Sequence, residues 1–121
     1  MSLSSESQNL SIKDTHSIIL KQKEYVLSII QEVTNTQSYI RALNSLVKEV
    51  ENRIKVEITI PPLSTALTND RLRDAYFLKE TLSDSSWADN TRKLKEAEAK
   101  LKGLEATLKL EQAYFEYLCR S

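Results

Sequence analysis

His16 and Cys119 are the only histidine and the only cysteine of this chain, and they stand near its opposite ends. A metal centre needs several His, Cys or carboxylate ligands at matched spacing, and a cysteine nucleophile needs a base to take its proton. His16 has no such ligand at a recognisable helical spacing, and nothing around Cys119 resembles a nucleophile elbow. Gly103 is the single glycine, so no glycine-rich loop is available to cradle a phosphate. These residues predict no catalytic, metal or cofactor site, and a protein that is not an enzyme.

The chemistry that the sequence does support is association. Ile12, Ile19, Val26, Val33, Ile40, Val47 and Ile54 recur every seventh residue, and Trp87, Leu94, Leu101, Leu108 and Phe115 repeat the period near the other end. A straight helix drifts about 20° per heptad, so a stripe this regular stays buried only by supercoiling around a partner. The residues three places further on are Thr15, Gln22, Ile29, Thr36, Leu43 and Val50, a second and more polar row. Polar positions inside a seam weaken it and select its register.

These stripes require two long helices. One Gly and two Pro among 121 residues leave little turn chemistry, and Leu, Lys, Glu and Ala favour helix. Pro61-Pro62 removes two backbone donors and disfavours α geometry just before it, ending the first helix by Ile58 or Thr59. Thr68 or Asn69 can cap a second helix beginning at Asp70. The expected organisation is a flexible, Ser-rich lead over 1–9 and one helical hairpin over 10–121. Its first arm covers about 11–58, its turn about 59–69 and its second arm about 70–119.

Arms of matched length fold back around residue 64. That pairs Ile12 with Phe115, Ile19 with Leu108, Val26 with Leu101, Val33 with Leu94 and Ile40 with Trp87, and brings Thr15 near Glu111 and Thr36 near Asn90. In the second arm Leu72, Ala75, Leu78 and Leu82 share a face, yet Leu82 and Trp87 point roughly 140° apart. A break over 83–86 accommodates the change, with Ser86-Trp87-Ala88-Asp89 as a weak capping box. The fold class is therefore all-α: an antiparallel coiled-coil hairpin that forms part of a multi-chain helical bundle.

Seventeen basic and seventeen acidic residues balance, and they interleave along both arms instead of gathering into a basic stripe. Direct nucleic-acid binding is not expected. Glu49 with Arg53, Glu51 with Lys55, Glu96 with Lys100, Glu98 with Lys102 and Glu105 with Lys109 have the favourable i,i+4 order of solvated helix faces. No apolar run approaches the roughly 20 residues of a bilayer span, which predicts no membrane insertion. The lone cysteine and the start MSLSSESQN, which has no secretory features, predict a soluble intracellular protein, nuclear or cytoplasmic.

Ile18, Tyr25, Tyr39 and Leu46 precede the seam residues Ile19, Val26, Ile40 and Val47, with Ile30 and Ile58 on the other side, so the apolar stripe is wider than a two-stranded coil uses. Tyr114 and Tyr117 flank the second arm. Tyr25, Tyr39, Leu46, Tyr114 and Tyr117 are the candidate partner interface, amphipathic rings being suited to such surfaces. The expected function is a non-enzymatic subunit of a hetero-oligomeric complex of coiled-coil proteins, with a preference by fold-level analogy for a nuclear or chromosome-segregation scaffold of the kinetochore type. Vesicle-tethering and organelle-positioning complexes offer the same kind of role.

In outline the chain also resembles a prefoldin subunit, with two coiled-coil arms of similar length around a middle connection. Val56-Glu57-Ile58-Thr59-Ile60 alternates with a period of two, so residues 55–60 are either a fraying helix end or one strand of that family's intervening hairpin. The resemblance implies a chaperone subunit. The connection departs from the family pattern, with about ten residues, two prolines and no glycine.

Overall fold

A computed structural model gives four helices: α1 (Ser2–Ile58), α2 (Leu63–Ala66), α3 (Asp70–Ser83) and α4 (Ser85–Arg120). Side chains are described from Lys13 onward; the lead expected over 1–9 and the seam position Ile12 lie outside the described residues. The fold is an all-α helical hairpin in which the two long helices pack against each other. It divides into two compact units, one of residues 1–36 with 100–121 and one of residues 37–99.

Helix α1 stops where the prolines require it. The carbonyls of Val56 and Glu57 accept from the N–H groups of Thr59 and Ile60, three residues on, tightening the last turn. Val56, Glu57 and Ile58 are thus helical, and no strand occurs among the described residues, which corrects the extended reading of 55–60. The Pro61-Pro62 peptide is cis, and α2 is a single turn beyond it. Asn69, with extended backbone, then caps α3 by accepting from the Leu72 N–H at 3.0 Å.

The break in the second arm falls at Asp84. Its backbone is extended and its N–H closes α3 on the carbonyls of Glu80 and Thr81. Its side chain opens α4, Oδ1 accepting from the Trp87 N–H at 2.8 Å. The sequence reading gave this capping role to Ser86. Asp84 takes it because an N-cap carboxylate reaches the N–H three residues ahead, and α4 has already begun at Ser85.

In the unit of 1–36 and 100–121, α1 covers Ile19, Gln22, Val26, Ile29, Val33 and Thr36, and α4 covers Leu101, Leu104, Leu108, Glu111, Phe115 and Leu118. The Thr36 hydroxyl is buried but satisfied, donating to the Glu32 carbonyl at 2.8 Å. In the unit of 37–99, Ile40, Leu43, Val47, Val50 and Ile54 continue the same alternating spacing of three and four, opposite Trp87, Leu94 and Ala97. Ile29, Thr36, Leu43 and Val50 are buried, as are Val26 and Ile54 of the expected seam, whereas Ile19, Val33, Ile40 and Val47 are half-buried. Over 29–50 the row expected to be secondary is therefore the deeper one.

The register differs from the expected pairing. In the first unit Glu111 meets Gln22, not Thr15: Gln22 Nε2 donates to Glu111 Oε2 at 2.7 Å and to its carbonyl at 3.0 Å. Val26 shares a groove with Gln112 and Phe115, well beyond its expected partner Leu101. In the second unit the Trp87 indole N–H donates to Glu51 at 3.2 Å, some three turns along α1 from Ile40. The cause is α3. Asp70 shares a groove with Ile58, yet Asp84, at the far end of this 14-residue helix, bonds to Arg53, little more than one turn away. The segment 70–83 uses up chain without matching α1 residue for residue, so a count from the turn misplaces everything after it.

Two measurements check this account. In a Cys119→Ser background, Gln22→Cys with Glu111→Cys should form a disulfide under mild oxidation. Thr15→Cys with Glu111→Cys should not, since Thr15 lies one heptad, about 10 Å, further along α1. Gly103 has helical neighbours and nothing within 4 Å of where a Cβ would sit. Gly103→Ala should stabilise the protein by about 1 kcal/mol in chemical denaturation.

Candidate interaction surface

His16 and Cys119 are both exposed, and no three His, Cys, Asp or Glu side chains gather as metal ligands among the described residues. What the structure does assemble is a polar clamp and several uncovered apolar surfaces.

The clamp lies in the unit of 37–99. Arg53 Nη2 donates to Asp84 Oδ2 at 2.8 Å while the other oxygen of that carboxylate caps α4. The Trp87 amide and the Arg53 guanidinium together hold the Asp84 carboxyl below its ordinary range. Arg53 also reaches Glu57 at 3.9 Å. The i,i+4 pairs expected for Glu49 with Arg53 and for Glu51 with Lys55 are replaced: Arg53 turns to Asp84, and Glu51 accepts from the Trp87 indole. Beside the clamp is an open groove of about 350 Å³ lined by Leu46, Glu49, Val50, Arg53, Asp84 and Ser86.

Further along α4, Arg92 bridges Asp89 and Glu96, and Lys93 also reaches Asp89. The hydrogen bonds from Arg92 and Lys93 lower the Asp89 carboxyl, and those to Asp89 and Glu96 raise the Arg92 guanidinium. This network satisfies its own charges and offers none to a ligand. In the other unit, a groove of about 450 Å³ is lined by Lys23, Val26, Leu27, Gln112, Phe115 and Glu116.

Of the expected seam residues, Val26 is buried, and Ile19, Val33, Ile40, Trp87, Leu94, Leu101, Leu108 and Phe115 are half-buried. The expected interface residues are all exposed. Tyr25 and Tyr114 are 47% and 46% exposed in the unit of 1–36 and 100–121, with Ile18 on the same heptad row as Tyr25 and Tyr117 more exposed still. Lys23 and Gln112, which follow seam residues by four on each helix, line one side of that unit's seam. Tyr25 and Tyr114 precede seam residues by one on each helix, which places both on the opposite side, because equivalent heptad positions face each other in an antiparallel pair. In the unit of 37–99, Tyr39 and Leu46 are 49% and 44% exposed.

Two features escaped the sequence reading. Asp84 was readable as an aspartate three residues before a helical amide, but its bond to Arg53 is tertiary. The leucine face of α3 was visible as a stripe; that it is left exposed was not. No known protein family, characterised protein or solved structure matches the chain.

The clamp gives a pH prediction. Folding holds Asp84 ionised below its unfolded pKa, so its contribution is complete above about pH 4 and is lost as the pH falls below that value. Asp84→Asn keeps a competent cap but removes the charge facing Arg53. Thermal melts followed by circular dichroism should show the wild-type midpoint falling more steeply than that of Asp84→Asn below pH 4, with the gap between the two narrowing.

Proposed function

We propose that this protein is a non-enzymatic structural subunit whose helical hairpin joins the coiled-coil helices of other chains in a hetero-oligomeric complex. The observation that carries this reading is the exposure of the flank: Tyr25 and Tyr114 in one unit, and Tyr39 and Leu46 in the other, lie beside covered seam positions with nearly half of their surface open to solvent. Large amphipathic side chains at the edge of an existing seam suit a further helix, which buries the rings and leaves the hydroxyls hydrogen-bonded at the rim.

The covered seam is thin, which favours the same reading. No large side chain among the described residues is fully buried, so little apolar area is removed from water within one chain. Added helices would bury more of it. No helix of the described residues is long and apolar enough to cross a membrane, and partner proteins are the occupants proposed for these faces.

The test combines Tyr39→Glu with Leu46→Glu. Affinity purification of the tagged protein from its native cells, beside circular dichroism of the purified chain, separates assembly from folding. The double variant should retain its helicity and lose most of its co-purifying partners, because an interface that excludes water does not accept two unpaired charges. Undiminished recovery of partners by a folded variant would remove this face from the proposal.

A further inference from the structure

Helix α3 is covered on its more polar side. Arg73, Tyr76, Phe77 and Glu80 are half-buried and Thr81 is 3% exposed, with the Lys55 ammonium 5.7 Å from the centre of the Phe77 ring. The Thr81 hydroxyl donates back to the Phe77 and Leu78 carbonyls, and burial, with Glu80 and Glu57 nearby, raises the Tyr76 phenol. The opposite side carries the leucines. Leu72, Leu78 and Leu82 are 43%, 58% and 61% exposed, and Ala75 is exposed between them. These four residues follow one ridge of a helix, the form of surface that a second helix fits.

The charges on that side have one sign. Arg71 and Lys79 are exposed and neither is in an ion pair among the described residues, whereas Asp70 is held by Arg73 at 2.8 Å and Glu80 lies on the covered side. Asp74 lines the groove with Lys55 and Arg73. At 100° per residue the arc from Leu78 through Leu82 and Ala75 to Leu72 spans roughly 120°, and both Arg71 and Lys79 fall within it. We propose that the Leu72, Ala75, Leu78 and Leu82 face of α3 docks an amphipathic helix of a partner protein that sets carboxylates against Arg71 and Lys79.

Charge selects this occupant over two others. Pairing the face with its copy about a two-fold axis brings the same cations together across the seam with no carboxylate to meet them. Burial in a bilayer places the cations among the leucines on the submerged arc instead of at its edges. A partner helix with Asp or Glu about eight residues apart answers both cations, which lie about 12 Å apart along α3. This face is built from α3 and the Tyr39 and Leu46 flank from α1, and the proposal does not rest on the function proposed above.

The test uses the full chain and two synthetic amphipathic peptides of about 20 residues with identical leucine stripes, one flanked by Glu and one by Lys, in fluorescence-anisotropy titrations. The Glu-flanked peptide should bind wild type at least tenfold more tightly than the Lys-flanked one. Arg71→Glu with Lys79→Glu should reverse that order. Leu78→Ser with Leu82→Ser should abolish binding without loss of helicity, and Tyr39→Glu with Leu46→Glu should leave it unchanged. Failure of the Glu-flanked peptide to bind, or binding indifferent to either α3 variant, would overturn the proposal. So would sedimentation showing a dimer, or flotation showing capture by phosphatidylserine vesicles, that Leu78→Ser with Leu82→Ser removes.

Discussion

The unit of 37–99 depends on where one carboxylate is held. Asp84 ends α3 with its backbone, starts α4 with one side-chain oxygen and takes Arg53 of α1 with the other. A helix start is usually settled locally, by a cap within its own segment. Here the capping group is also tied across to α1, so the turn at which α4 begins is the turn at which it meets Arg53. Trp87 follows three residues later and brings its indole N–H to Glu51, a second link at nearly the same level. The order of residues along this part of the seam follows from those two bonds more than from the apolar stripe they accompany.

That arrangement explains why α3 is so unlike its neighbours. A helix bounded by the turn on one side and the Asp84 clamp on the other occupies 14 residues beside a short stretch of α1. It contributes aromatic and polar groups to the covered side: the Tyr76 ring, the Phe77 ring beneath the Lys55 ammonium of α1, and a Thr81 hydroxyl already satisfied by its own helix. Exposed leucines on a short helix are an unfavourable use of apolar surface for a lone chain. They become favourable once another molecule covers them. The same holds for Tyr25, Tyr39, Leu46 and Tyr114, so the chain carries apolar surface beyond what its own helices consume.

The Gln22 and Glu111 bonds show what the polar seam positions do. A glutamine and a glutamate facing each other add little apolar burial, but any slip of the helices separates them and leaves the amide to find another acceptor. Such a layer discriminates between registers that the surrounding isoleucines, valines and leucines treat alike. Thr36 differs, since its hydroxyl is satisfied within α1 and places no demand on a partner.

The sequence by itself determined the elements and their inward faces. The seven-residue spacing from Ile19 to Ile54 and from Trp87 to Phe115 marks the stripe, Pro61-Pro62 ends α1, Asn69 caps α3, and the aromatic residues beside the stripe are legible as uncovered surface, because each of these follows from local stereochemistry and helical period. Register was beyond its reach: sliding one arm by seven residues keeps the same rows in the seam, and only paired groups such as Gln22 with Glu111 and Arg53 with Asp84 distinguish the alternatives. The side of α3 that is covered was equally a tertiary decision. Period shows that Leu72, Ala75, Leu78 and Leu82 share a face, but whether that face turns inward depends on how α3 is tethered at both ends, and the tethers bring Tyr76, Phe77 and Thr81 inward instead.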